Sequence, residues 1–361
     1  MQNWRSELQS LTESADNLAS VLELEADEIA YFEHSHGNKR YPEEQGLPLR
    51  ITPHYLGLIQ GDPSGALRRM AVPRLDEKRV LPFESPDPLT ELPYEVAPRC
   101  IHRYRDRVLI LVTDACALYC RHCFRRRFTA DGAGGLTKDE RQAIVRYVGE
   151  HTEVHEVILS GGDPLMLGDA AIETLLADLR SVRPELVFRL SSRMPVVLPS
   201  RVDDALVGLL ASYRPLWLVI QVNHPLELSP GFLAAVAKVS AAGVPLLSQT
   251  VLLRSVNDDL EVLKRLFYGL IEVGVKPYYL FQGDLVPGTS HLRTPLDASL
   301  ELYRRLQREI SGLALPAFAV DLPGGGGKIR LHKESLAGRE EGSFLIRDLE
   351  GKLYRYPAEG S

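Results

Sequence analysis

A chain of 361 residues has room for one large or two medium domains, and 45% hydrophobic with 25% charged residues is the composition of a soluble globular protein able to bury a sizeable core. Its 42 basic and 48 acidic side chains leave a formal net charge of −6, which argues against nucleic acid as the main partner, because phosphate binding shows as a basic excess. No apolar run approaches the roughly 18–20 residues of a membrane span, and the opening MQNWRSELQSLTES lacks a basic segment followed by an apolar one; a cytoplasmic protein with no membrane partner is expected.

Residues 1–97 read as a mostly helical region, since NWRSELQSLTESADNLASVLEL and HYLGLIQG carry apolar residues at helical spacing. The Pro-containing stretch FESPDPLTELPYEVAP then reads as a connector. From residue 98 the character changes. Strands are predicted at 108–115, 154–161, 186–192, 216–222, 244–253 and 275–282, and amphipathic helical stretches such as KDERQAIVRYVGEH and DLEVLKRLFYGLIEVG lie between them. A seventh run, LPAFAVDL, follows the long helix candidate LDASLELYRRLQREISG, and the tail SFLIRDLEGKLYRYP reads as a small hairpin. Six βα repeats define an α/β chain, either an open doubly wound sheet or a partial barrel. Both place active-site residues at the carboxyl ends of the strands. Asp114, Ser160 to Asp163, Ser191 to Arg193, Asn223, His224, Gln249, Asp284 and Asp321 fall there.

Three of the four cysteines lie in TDACALYCRHCFRRRF, directly after the first of these strands. Clustering of this kind in a large chain points to metal or redox chemistry more than to disulfides. Cys116, Cys120 and Cys123, spaced C-x3-C-x2-C, can bind three irons of a cubane and leave the fourth open to a small molecule. Tetrahedral zinc would normally want a fourth Cys or His. His122 is awkwardly placed between two ligating cysteines, and Cys100 reads as a buried small hydrophobe.

The cysteine spacing at the end of the first strand resembles the radical S-adenosylmethionine superfamily. YCRHCFRRRF resembles, within it, the lysine 2,3-aminomutase family. Further matches are ILSGGDPL, SSRMPVVLPSR, NHP, QTVLLRSVND, KPYYLFQGDL, RTPL and DLPGGGGK, collinear from about residue 98 to 330. The resemblance implies a partial (β/α)6 radical-SAM barrel with an N-terminal helical extension (1–97), a barrel region carrying a pyridoxal phosphate-binding loop (98–330) and a short C-terminal hairpin (331–361). It implies an isomerase with three cofactors: a [4Fe–4S] cluster on Cys116, Cys120 and Cys123, S-adenosylmethionine, and pyridoxal 5′-phosphate.

Carried over residue by residue, Ser160, Gly161, Gly162 and Asp163 would lie near the methionine moiety, their glycines giving a close backbone approach and hydrogen-bond donors, and Gln249 near the nucleoside or the methionine. Lys328 would form an imine with pyridoxal phosphate. Arg103 and Arg107 would bind its phosphate and Tyr104 pack on its ring. Arg125 matches the position that pairs with a substrate α-carboxylate, and Asp284 with Asp321 the pair that holds the ε-ammonium of lysine. Gln221 stands where the family often has His, which leaves one hydrogen bond near the cofactor open.

The implied reaction is migration of the α-amino group of L-lysine to the β-carbon, with an electron donor such as flavodoxin or ferredoxin. The alternatives are an enzyme acting on a lysine of elongation factor P, one acting on arginine or another amino acid, and, in another class, a non-catalytic iron–sulfur or zinc module. No cysteine follows Cys123, and Asp259 stands at the matching internal position, so the structural zinc of longer relatives is expected to be absent. A homo-oligomer, at its simplest a dimer, is expected.

Overall fold

Alternating β-branched runs and amphipathic helices build a ten-stranded sheet in the computed structural model, which describes residues 4–34, 46–129, 131–332 and 335–358. The N-terminal region is a set of short helices: α1 (Trp4–Glu7), α2 (Ala15–Ala19), α3 (Ala26–His34), α4 (Pro53–Gln60) and α5 (Ala66–Ala71). The periodic stretch at 3–24 does not run on as one helix. Thr12 pairs with Ile51 as a β-bridge, and Ser14 accepts from the amide of Asn17 to start α2 afresh. Trp4, Leu18, Tyr55, Ile59 and Met70 are buried in the same continuous core as the sheet, so this region is an extension of one domain.

The main sheet contains β1 (Glu95–Ala97), β2 (Cys100–Tyr104), β3 (Arg107–Thr113), β4 (Glu156–Gly161), β5 (Val187–Ser192), β6 (Leu216–Gln221), β7 (Leu246–Val251), β8 (Lys276–Phe281), β9 (Ala317–Leu322) and β10 (Gly327–Arg330). Spatial order follows chain order from one edge to the other. A doubly wound sheet would reverse that order at a switch point; here there is none, and the architecture is the partial barrel. Neighbours from β3 to β9 pair in parallel, whereas β1 and β2 at one edge and β10 at the other run antiparallel. The seventh predicted strand thus joins the barrel as β9, and the sheet begins at Glu95, slightly before the expected change of character.

The crossover helices are α6 (Lys138–Glu150), α7 (Asp169–Val182), α8 (Met194–Val197), α9 (Asp204–Ser212), α10 (Pro230–Ala241), α11 (Leu260–Glu272) and α12 (Leu296–Glu309). Their starts are set by local chemistry: Thr137 and Glu140 form a reciprocal capping box on α6, and Asp259 accepts from Glu261 and Val262 to cap α11. Period-2 alternation sorts the strand side chains. Val157, Leu159, Phe188 and Leu190 are buried towards the helices, while Ile158, Ser160, Arg189, Ser191, Gln249 and Phe281 line the interior. A one-residue slip would exchange these sets, so register is what aims the site. The tail hairpin is β12 (Ser343–Arg347) with β13 (Leu353–Pro357), and β11 (Leu336–Glu340) adds a third antiparallel strand. Among the described residues no helix is long and apolar enough to cross a membrane.

Candidate active site

A cavity of about 760 Å³ occupies the interior, lined by side chains from β2 through β10 and by the loop after β3. That loop carries Cys116, Cys120 and Cys123, all partly exposed to the cavity. Burial, Asp163 and the other two thiols push the Cys116 thiol well above the ordinary thiol range; burial and Cys120 raise that of Cys123. Three thiolates so close together repel one another, and a cationic iron cluster is the partner that makes the donor set favourable. Behind them, Arg193 donates to the Cys120 sulfur at 2.6 Å and to Glu227 at 2.5 Å. Glu227 is fully buried; it also accepts from the Tyr55 hydroxyl at 2.8 Å and the Asn223 amide at 2.6 Å. The loop is therefore seated on a buried ion pair reaching into the N-terminal extension. The SSR segment marks Arg193 in the sequence, whereas Tyr55 and Glu227 carry no local signal.

His122 is not poised as a fourth ligand. The Asn223 carbonyl oxygen accepts from the Val251 amide, so its NH2 faces His122 and donates to Nε2 at 3.2 Å. Burial, with Arg193 and Arg126 nearby, holds this imidazole well below the usual histidine range and hence neutral. Its Nδ1, in the same cavity wall, is buried without a hydrogen-bond partner.

The SGGD turn after β4 lies against the cysteine loop. Gly162 N donates to Thr113 O at 2.6 Å and Asp163 N to Ala115 O at 2.8 Å. A Cβ on Gly161 (φ +129°) would stand 2.3 Å from Thr113 O, and one on Gly162 2.3 Å from Ala115 O. The glycines thus allow close backbone contact with the cysteine loop, and the Gly162 and Asp163 amides are engaged by it, while all four residues of the turn line the cavity. The Asp163 carboxylate is committed as well, accepting from the Leu165 amide, the Ser192 hydroxyl and the Arg193 amide at 2.7–3.0 Å. It joins the ends of β4 and β5 and fixes the start of the segment that carries Arg193. Ser160 and Gln249 line the cavity. Gln221 lies opposite Gln249 in the sheet register and donates to its side-chain oxygen at 2.8 Å, which leaves the Gln249 NH2 free to face inward.

On the opposite wall Lys328 stands on β10 directly across from Asp321 on β9. Its Nζ is 3.9 Å from the Asp321 carboxylate and 4.3 Å from the Phe281 ring centroid. The Lys328 amide donates to the Tyr104 hydroxyl at 2.9 Å. Arg107 lies over the Tyr104 ring at 4.2 Å, and Arg103 packs against both Tyr94 and Tyr104. Arg103 Nη1 donates to Leu89 O at 2.5 Å, but Nη2 is buried with no partner. An unmet guanidinium donor is costly, and a phosphate oxygen satisfies it. Gly327 runs beside that donor, its φ of +79° favouring glycine; a Cβ there would lie in ordinary contact with the Tyr104 hydroxyl at 3.6 Å and Arg103 Nη2 at 3.7 Å.

Between the two walls, Arg125 donates to Ser160 Oγ at 3.2 Å and to Glu91 at 2.6 and 3.2 Å. Glu91, in the connector before β1, is a buried carboxylate that sequence reasoning passed over because nothing local distinguishes it from a solvated loop acid. Asp284 follows β8 and lines the same cavity. Burial and the neighbouring Asp321 push its carboxyl well above the ordinary range, against the pull of Lys328 and Arg125. The residues carried over from the family resemblance therefore line one cavity, whereas Asp114, Asn223 and His224, also at strand ends, do not.

A profile described as Radical SAM superfamily matches residues 110–267, and one described as Lysine-2,3-aminomutase matches residues 304–360. The first, with the cysteine loop at the mouth of a partial barrel, defines the class: an enzyme that carries a [4Fe–4S] cluster and uses S-adenosylmethionine. L-lysine 2,3-aminomutase of Fusobacterium nucleatum is 36% identical over 355 residues, covering 98% of this chain and 82% of that protein. Putative L-lysine 2,3-aminomutase of Treponema pallidum is 42% identical over 319 residues (86% and 90%), and glutamate 2,3-aminomutase of Clostridioides difficile 34% identical over 364 residues (99% and 83%). The chain belongs to the lysine 2,3-aminomutase family, and it is an isomerase of the aminomutase type.

Proposed function

We propose that the chain is a pyridoxal phosphate-dependent enzyme that converts L-lysine to β-lysine. The observation that carries this reading is the charge layout of the cavity. Arg125 and the acid pair Asp284 and Asp321 line the same cavity, with Lys328 beside Asp321. A substrate with a carboxylate at one end and a second cation at the other neutralises all of these groups. Glutamate would add a third carboxylate beside the acid pair, which costs several kcal/mol in a desolvated site.

In this reading the cluster and S-adenosylmethionine supply a hydrogen-abstracting radical, and pyridoxal phosphate supplies the conjugated carrier for the migrating nitrogen. The chain supplies position. Arg103 and Arg107 would hold the phosphate, Tyr104 fixes the backbone of Lys328, and the Lys328 amine would hold the cofactor's aldehyde carbon. Arg125 keeps one guanidinium arm for the substrate carboxylate while Glu91 grips the other side of the fork. Gln221 orients Gln249 towards the cofactor space.

The test is anaerobic. The cluster is reconstituted, pyridoxal phosphate, S-adenosylmethionine, a reductant and L-lysine are added, and β-lysine is measured by mass spectrometry. Product is expected from the wild type and from neither Lys328→Ala nor Cys120→Ala. Cleavage of S-adenosylmethionine without β-lysine would overturn the substrate and keep the radical chemistry, and arginine, glutamate and elongation factor P would be tried next.

A further inference from the structure

The reverse side of β2 carries a group of donors that the cavity does not use. His102 alternates with Ile101 and Arg103, which line the interior, so it faces outward to the end of α6. His151 is the residue that ends α6, its amide donating to Tyr147 O at 3.1 Å. Its ring stacks on Tyr147 with centroids 3.9 Å apart and meets His102 edge-on at 5.8 Å. Glu153 follows two residues later and pairs with His151 Nδ1 at 2.7 Å. One donor atom from each of His102, His151 and Glu153 lies within 4.8 Å of the other two, and all three side chains are partly open to solvent.

We propose that His102, His151 and Glu153 form a site for a divalent transition-metal ion of the zinc type, with water completing a four-coordinate shell. Two imidazoles and one carboxylate, converging from a strand, a helix end and a loop, are a zinc donor set with an open position. His102 is already held as a metal-bound imidazole is held. The carbonyl of Arg105, 3.2 Å from Nε2, can only accept, so Nε2 carries the proton and Nδ1 presents its lone pair, which takes the Tyr147 hydroxyl at 2.7 Å. The His151–Glu153 contact marks a shared proton, and a cation in its place takes both lone pairs. Ligand atoms at about 2.0–2.1 Å from a tetrahedral ion stand roughly 3.3 Å apart, so the widest separation closes by up to about 1.5 Å and the His151–Glu153 contact opens from 2.7 Å, changes that partly exposed side chains make by rotamer adjustment.

This site is chemically distinct from the cysteine loop, because it contains no thiolate. Cys100 lies on the same face of β2 but is fully buried, and its sulfur is not among the donor atoms that converge here. A bound ion would tie β2 to the end of α6 on the reverse of the strand that bears Arg103 and Tyr104.

Zinc also binds free cysteine loops, so the experiment uses the iron-loaded holoenzyme, equilibrated anaerobically with low-micromolar zinc and then freed of unbound metal. Elemental analysis is expected to give one zinc per chain beyond the iron. X-ray absorption at the zinc edge should show a shell of nitrogen and oxygen only. His102→Ala and Glu153→Gln should each weaken zinc binding at least tenfold, with iron content and far-ultraviolet circular dichroism unchanged. Should His102→Ala fail to fold, Glu153→Gln tests the same claim at a partly exposed position. Equal zinc in wild type and variants, sulfur in the zinc shell, or no zinc retained by the wild type would each overturn the proposal.

Discussion

The Asp284 carboxyl is raised by its surroundings, so a proton competes for it with a cation at higher pH than for a free aspartate. Burial and Asp321 raise it well above the usual carboxylate range, and a cationic substrate favours its ionised form. Lysine binding therefore strengthens as pH rises through that raised range and weakens below it. Initial rates with cofactors saturating are expected to show KM for lysine falling with pH. Asp284→Asn should flatten that dependence and raise KM at least tenfold, about 1.4 kcal/mol or more. Stability runs the other way. The folded form holds the proton at pH values where the unfolded aspartate has lost it, so this group's contribution is present at low pH and lost as pH rises through the folded value. At alkaline pH, Asp284→Asn should melt later than the wild type in the absence of cofactors.

Glu91 acts on the neighbouring charge. It takes Nε and Nη2 of Arg125 and leaves Nη1, on Ser160 Oγ, as the arm for a carboxylate. Glu91→Gln should raise KM for lysine several-fold with iron content unchanged. An unaltered KM would mean that Arg125 needs no such anchor.

At the scale of elements, the SGGD turn and the cysteine loop form one unit. The turn lies so close to residues 113–115 that even a methyl group at Gly162 meets backbone atoms at 2.3–2.8 Å. Backbone has no rotamer to change, so relief requires moving the loop that carries Cys116. Gly162→Ala is expected to fold, because the core lies elsewhere, and to lose most of its capacity for iron, measured as iron per chain after reconstitution beside an unchanged far-ultraviolet spectrum. Full iron loading in that variant would show that turn and loop are independent. β10 is the corresponding unit on the far wall, where pairing with β9 and the Tyr104 hydroxyl set the height at which Lys328 enters the cavity.

Over the whole molecule, the N-terminal extension is fastened to the cysteine loop by buried charge. Arg121 and Glu77 are both fully shielded, joined at 2.6 and 2.7 Å, and Arg126 reaches the same carboxylate. Arg121 also donates to the carbonyls of Leu47 and Pro48 at 2.8 and 3.0 Å. Removing one partner of a buried pair costs about 3–5 kcal/mol, because the other charge is left without compensation. Glu77→Gln should therefore lower the melting temperature by several degrees. Because the extension shares the barrel's core, unfolding should remain a single transition. A separate early transition would show that the extension unfolds by itself.

The local signals were those whose cause is local. Short β-branched runs between amphipathic stretches marked the parallel strands, and C-x3-C-x2-C placed three thiols on one loop, since a spacing that short cannot scatter them. Strand ends delivered Gln249 and Asp321, because a parallel sheet carries every strand's carboxyl end to one mouth. What needed the tertiary structure was every pairing between residues far apart in the chain: Glu91 on Arg125, Glu227 and Tyr55 behind Arg193, Gln221 against Gln249, and Glu77 clasping Arg121. It also decided that the SGGD glycines face the cysteine loop and that the stretch at 3–24 breaks at Thr12, where a bridge to Ile51 overrides helical periodicity. Periodicity and spacing report the face a residue occupies; only the folded chain decides which charge or carbonyl it meets there, because those partners lie 28 to 172 residues away.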